Sequence, residues 1–130
     1  MEPFFYINVY VPEHVSKKNN RPIWRGRLGK SQKLREAESH LTNAFMKAYK
    51  GPTVESLVHA KVLFHSTKYF TKKNVKSLKC GDLVNLLQLP LDCLQSAGVI
   101  KDDSLVESLD GSRIVPSDQN RLEITLYRYV

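Results

Sequence analysis

The apolar residues of this chain change period along its length, and that change limits the available folds more than any single motif does. Phe4 to Val11 alternates, with Phe5, Ile7, Val9 and Val11 on one side and Phe4, Tyr6, Asn8 and Tyr10 on the other. Period two marks a strand, and Pro12 closes it. Leu34, Ala37, Leu41, Ala44, Phe45 and Ala48 then recur at three- and four-residue spacing. This is the stripe of a helix capped by Ser31, running to about Lys50 and stopped by Gly51-Pro52. Alternation returns from Leu57 to His65, and Leu83, Leu86, Leu87, Leu91 and Leu94 make a second apolar stripe between Asp82 and Gly98. Pro90 lies inside that stripe, lacks a backbone donor, and is expected to kink or split the helix. Ser104 to Leu109 reads as a short strand, Asp110-Gly111 opens a loop, and Leu122 to Tyr129 alternates as the last strand. The order βαβαββ predicts an α+β fold: one mixed sheet packed against two main helices, in a single domain spanning residues 1–130.

Two loops, Glu13 to Lys30 and Ser66 to Lys79, lack either period, and both lie in basic windows. His14 to Arg35 carries Lys17, Lys18, Arg21, Arg25, Arg27, Lys30, Lys33 and Arg35 with no acid. Ser66 to Lys79, within an acid-free window from Ser56 to Gly81, carries Lys68, Lys72, Lys73, Lys76 and Lys79. With Lys61, these windows hold fourteen of the twenty Lys and Arg residues, whereas most acids lie from Asp82 onward. A net charge of +7 segregated in this way attracts polyanions by phosphate neutralisation and counterion release. The alternative, a merely solvated surface, stays open from charge alone.

No apolar run reaches a membrane-spanning length. The start of the chain lacks the basic segment and small-residue cleavage site of a signal peptide. Cys80 and Cys93 are too few and too isolated for a disulfide framework or a zinc site. A reducing, cytoplasmic setting is expected.

The stretch from Lys79 to Val106 carries the chemistry. Asp82 stands at the start of the second helix, and Asp102-Asp103 follow its end. If those acids converge within a basic surface, they can hold Mg²⁺ or Mn²⁺ beside a phosphodiester. Otherwise Asp82 is a helix cap and Asp102-Asp103 a solvated turn, and both readings are open.

In full, this stretch resembles the signature of the RusA-type Holliday junction resolvases, D-L-D-N-L-x-K followed by a leucine-rich helix, A-G and D-D. Here it reads Asp82-Leu83-Val84-Asn85-Leu86-Leu87-Gln88, Leu91-Asp92-Cys93-Leu94, Ala97-Gly98 and Asp102-Asp103. Asn19-Asn20-Arg21 after the first strand and Arg121-Leu122-Glu123-Ile124-Thr125 at the end extend the similarity over nearly the whole chain. The resemblance implies a homodimeric endodeoxyribonuclease of phage or prophage origin that nicks four-way junctions symmetrically with Mg²⁺ or Mn²⁺. By position, Asp82 and Asp103 would be catalytic and, with Asp102, metal-binding, while Asn85 would support the site. Asn20, Arg21, Arg25, Arg27, Lys72, Lys73, Lys76 and Lys79 would contact DNA.

Two positions depart from the pattern: Val84 replaces the second aspartate and Gln88 the lysine. Valine cannot ligate a cation, and glutamine offers no positive charge to a phosphate or leaving group. Three accounts follow: a rebuilt site using Asp102, Asp92 or Glu107; a relative that binds branched DNA without cutting it; or deliberate substitution. Asp92, ten residues along the helix from Asp82, is expected on another face and reads as a surface aspartate. Trp24, between basic residues, would either stack on an unpaired base or pin its loop to the core. His59 and His65 are not expected to be ligands.

Overall fold

Strand β1 (Pro3–Tyr10) keeps the alternation read above: Phe5 is buried and Ile7 and Val9 partly so, while Tyr6, Asn8 and Tyr10 are exposed. The computed structural model describes residues 2–17, 23–24, 27–28, 31–69 and 82–129. After β1 come β2 (Ile23–Trp24), β3 (Arg27–Leu28), α1 (Gln32–Ala48), β4 (Val58–Ser66), α2 (Leu83–Ser96), β5 (Val106–Ser108), β6 (Arg113–Pro116) and β7 (Arg121–Arg128). The fold is α+β, with a mixed five-stranded sheet and two main helices.

β7 is the hub of the sheet, pairing antiparallel with β1 on one side and β4 on the other. In β4 and β7 every second residue is buried, so Val58, Ala60, Val62 and Phe64 share an inner face with Leu122, Ile124 and Leu126. Helices α1 and α2 cover that face with Leu34, Leu41, Phe45, Leu86, Leu89 and Leu94. The free edge of β4 is shared by two short parallel strands, β5 beside Val58 and His59 and β6 beside Leu63 to Ser66. Between them the Ser112 hydroxyl accepts from the Val62 N–H at 2.9 Å and donates to the Ala60 carbonyl at 3.4 Å. A side chain thus supplies the edge hydrogen bonds where neither strand reaches, which keeps the ladder satisfied.

Both helix starts follow the sequence. Ser31 Oγ accepts from the Leu34 N–H at 3.0 Å, and the Asp82 carboxylate accepts from the Val84 N–H at 3.1 Å. Helix α2 ends in a Schellman motif: Gly98 N–H donates to Gln95 O and Val99 N–H to Leu94 O, each at 3.0 Å. Gly98 takes φ +77°, a conformation that strains any residue with a Cβ.

Four details differ from expectation. Helix α2 is not split at Pro90, whose ring is fully buried, so apolar packing offsets the missing donor. The loop between Glu13 and Lys30 contains the β2–β3 ribbon, which pairs Ile23 with Leu28 and Trp24 with Arg27. The strand expected over Ser104–Leu109 begins instead as a 3-10 turn, Asp103–Leu105, and is extended only over Val106–Ser108. The loop expected after Asp110-Gly111 contains β6, too short and too close to Pro116 to show a period.

Candidate functional site

Helix α2 positions most of the residues singled out by the sequence, and it separates them. Asp82 lies exposed at its N-terminus, with its carboxylate on the Val84 N–H. Val84 is 76 % exposed, an apolar side chain held in water on the first helical turn. Asn85 is half-buried on the same turn.

Val84, Gln88, Asp92 and Gln95 follow at spacings of four, four and three, which places them along one helix face. At the C-terminal end of that line the polar groups are joined. The Asp92 carboxylate accepts from the Gln88 amide at 3.0 Å and is ion-paired with the Lys17 ammonium. The same ammonium lies 3.9 Å from the Glu38 carboxylate of α1. The Asp103 N–H donates to Gln95 Oε1 at 3.0 Å, and the Asp103 carboxyl interacts with that of Asp92. Asp102 stays exposed and caps the 3-10 turn by accepting from the Ser104 N–H at 2.8 Å.

The electrostatics divide the two central acids. Burial alone pushes Asp92 up, but the hydrogen bonds from Lys17 and Gln88, with the Lys17 charge, outweigh it and hold the carboxyl below its ordinary value. Burial and the neighbouring Asp92 carboxylate push Asp103 above its ordinary value. Asp92 is therefore the ionised member of the pair, and Asp103 the member that takes a proton first. For exposed Asp102, hydrogen bonds from Ser104 depress the carboxyl. Beneath this cluster, burial pushes the Cys93 thiol up to about 11, so it is neither a thiolate nor a nucleophile at neutral pH.

Asp103 is thus joined to the C-terminal half of α2, while Asp102 caps the 3-10 turn and Asp82 the other end of the helix. The ten residues from Asp82 to Asp92 span about 15 Å of helix. Among the described residues, no group of three or more His, Cys, Asp or Glu side chains is placed to hold a metal ion. The donor set expected for Mg²⁺ or Mn²⁺ therefore does not fit these residues as they are arranged. Mg²⁺ needs oxygen ligands at about 2.0–2.1 Å in octahedral geometry, and Asp82 caps the helix end opposite to Gln95, which holds the Asp103 backbone.

Asn20, Arg21, Arg25, Lys72, Lys73, Lys76 and Lys79 lie outside the described residues, and Arg27 is placed by its backbone in β3. Trp24 is placed by its backbone in β2. Glu107 is exposed on β5, four residues on from Asp103. On the sheet face away from the helices, His65 pairs with Glu123 at 2.8 Å, and the Tyr6 hydroxyl donates to the other Glu123 oxygen at 2.7 Å. His59 Nε2 lies 3.1 Å from the Asp110 carbonyl, and its ring packs edge-on against Tyr127.

The sequence does not reveal the pairing of two residues. Asp92 is a half-buried hub and not a surface aspartate, and its four-residue spacing from Gln88 was the available signal. Lys17 reaches it from 75 positions away, a contact that no local pattern reveals.

Comparison with known proteins agrees with this architecture. The family model Endodeoxyribonuclease RusA matches residues 12–127, which include both helices, all the carboxylates discussed and most of the sheet. No curated protein gives a significant match. RusA-family enzymes resolve Holliday junctions, bind branched DNA and in general depend on a divalent metal. This chain belongs to the RusA family of endodeoxyribonucleases.

Proposed function

We propose that this protein binds four-way DNA junctions as a homodimer and that its strand cleavage is strongly attenuated. The carrying observation is Val84. It stands 76 % exposed on the first turn of α2, where the RusA signature has its second aspartate. The nearest acid along the same helix face is Asp92, two turns on, and it is already paired with Lys17. Losing the acid at 84 and the lysine at 88 removes the groups that would hold an ion and stabilise charge on a phosphate. Neither change touches the buried core, so the DNA-binding scaffold is retained.

The basic segments supply the affinity. Phosphate neutralisation by Arg21, Arg25, Arg27, Lys72, Lys73, Lys76 and Lys79, with Asn20 as a hydrogen-bonding neighbour, binds DNA without reading sequence. Two copies about a two-fold axis would match the two-fold symmetry of a junction. Action in the cytoplasm of a bacterial host, from a phage or prophage gene, suits both readings.

The second reading is full resolution with Mg²⁺ or Mn²⁺, with Asp82 and Asp103 as catalytic acids, Asp102 as a further ligand and Asn85 in support. It is favoured by the survival of Asp82, Asn85 and Asp103 within the signature and by the activity of the family. An end-labelled four-way junction incubated with protein and Mg²⁺ or Mn²⁺ separates the readings. A retarded complex with few or no nicks is expected from the first. Paired symmetric nicks at ordinary enzyme rates, abolished by Asp82→Asn, would establish the second.

A further inference from the structure

We infer that Lys17 is the resident cation of the carboxylates on the C-terminal half of α2, and that its ammonium keeps a divalent ion from binding there. The inference concerns ion occupancy and not DNA, so it stands or falls independently of junction binding.

The geometry is that of a filled site. The Lys17 ammonium is ion-paired with Asp92 and lies 3.9 Å from Glu38, and its side chain is only 14 % exposed. An ammonium withdrawn from water to that degree is tolerated because carboxylates surround it. The second Asp92 oxygen is taken by Gln88, and the Asp103 carboxyl leans on the same group. Both oxygens of Asp92 are therefore already engaged, and the positive charge an incoming ion would bring is already present beside them.

A Lys ammonium also differs from an ion in what it requires. It donates three hydrogen bonds at ordinary distances and tolerates irregular acceptors. Mg²⁺ must shed tightly held water and find near-octahedral oxygens. With the Lys17 ammonium in place, Asp92 has no unengaged oxygen to offer such an ion. Position 88 completes the argument: Gln88 stands where the RusA signature has its lysine, and its amide converges with Lys17 on one carboxylate. The positive charge absent from α2 arrives from the segment after β1.

The test is Mn²⁺ binding without DNA, followed by the paramagnetic resonance signal of free Mn²⁺ and by calorimetry. The proteins are wild type, Lys17→Met, Lys17→Gln and Lys17→Met combined with Asp103→Asn, each checked for folding by circular dichroism. Wild type is expected to show no Mn²⁺ site that depends on Asp103. Removing a unit charge a few ångströms from the carboxylates should tighten Mn²⁺ binding by at least about tenfold in whichever Lys17 variant folds. Adding Asp103→Asn should remove that gain. An Asp103-dependent Mn²⁺ site in wild type would overturn the inference before any variant is measured. So would folded Lys17 variants that bind Mn²⁺ no better than wild type.

Discussion

Replacing Asp82 by asparagine and by alanine separates helix capping from metal chemistry, because asparagine retains the first role and neither retains the second. The carboxylate accepts from the Val84 N–H at 3.1 Å, one of the donors at the start of α2 with no partner inside the helix. Alanine leaves that donor to water, at a cost of about 1 kcal/mol. Unfolding entropy near 2.1 cal/mol/K per residue, over 130 residues, gives roughly 0.27 kcal/mol/K. Asp82→Ala should therefore lower Tm by about 4 °C. Asparagine caps about as well as aspartate and forfeits only the attraction of a charge to the helix N-terminus, about 0.3 kcal/mol on an exposed residue. Asp82→Asn should thus lower Tm by about 1 °C, measured by calorimetry at neutral pH and moderate salt. Equal losses for the two variants would refute the capping account, as would no loss for either. A Tm that rises in both would instead mark Asp82 as a carboxylate kept for function at the expense of stability.

Three further outcomes follow from the same structure. Leu94 is fully buried between the helices and the sheet, so Leu94→Ala should cost about 2–5 kcal/mol in urea unfolding, and a loss under 1 kcal/mol would contradict the packing. Burial depresses the His14 imidazole below its ordinary 6.5, with the ring packed edge-on to Phe64 and Nε2 2.7 Å from the His65 carbonyl. The unfolded chain then takes up the proton first, so the stability tied to this group is complete above pH 6.5 and is lost as pH falls through the lowered folded value. His14→Gln should flatten that stretch of the stability–pH curve, and an unchanged slope would assign it elsewhere. Junction affinity should fall by about 10³ to 10⁵ between 50 and 200 mM salt if six to ten phosphates are contacted, and a flat salt profile would exclude the electrostatic mode.

Much of the fold could be read directly because it rests on local chemistry. The Ser31 and Asp82 caps, the Gly98 stop and the alternation of β1, β4 and β7 are all set by residues close in sequence. What escaped depends on distant contacts. β6 is ordered by pairing with β4 and by the Ser112 bridge, not by a period of its own. Pro90 is accommodated because its ring is buried, which helix propensity does not consider. In the site, the sequence pattern located the acids but not their company. Asp92 seemed a surface residue because its partners, Lys17 and Asp103, come from other segments. Asp82 and Asp103 share a motif and yet serve opposite ends of one helix.

Under the proposed function, junction binding is kept and most of the cutting is lost through positions 84 and 88. One experiment addresses it most directly: a labelled four-way junction with Mg²⁺ or Mn²⁺, offered in parallel to wild type and to Val84→Asp with Gln88→Lys. Comparable complexes are expected for the two proteins, with symmetric nicks weak or missing in wild type and clearly increased in the double variant. Rapid symmetric cleavage by wild type, unchanged by the double substitution, would contradict it.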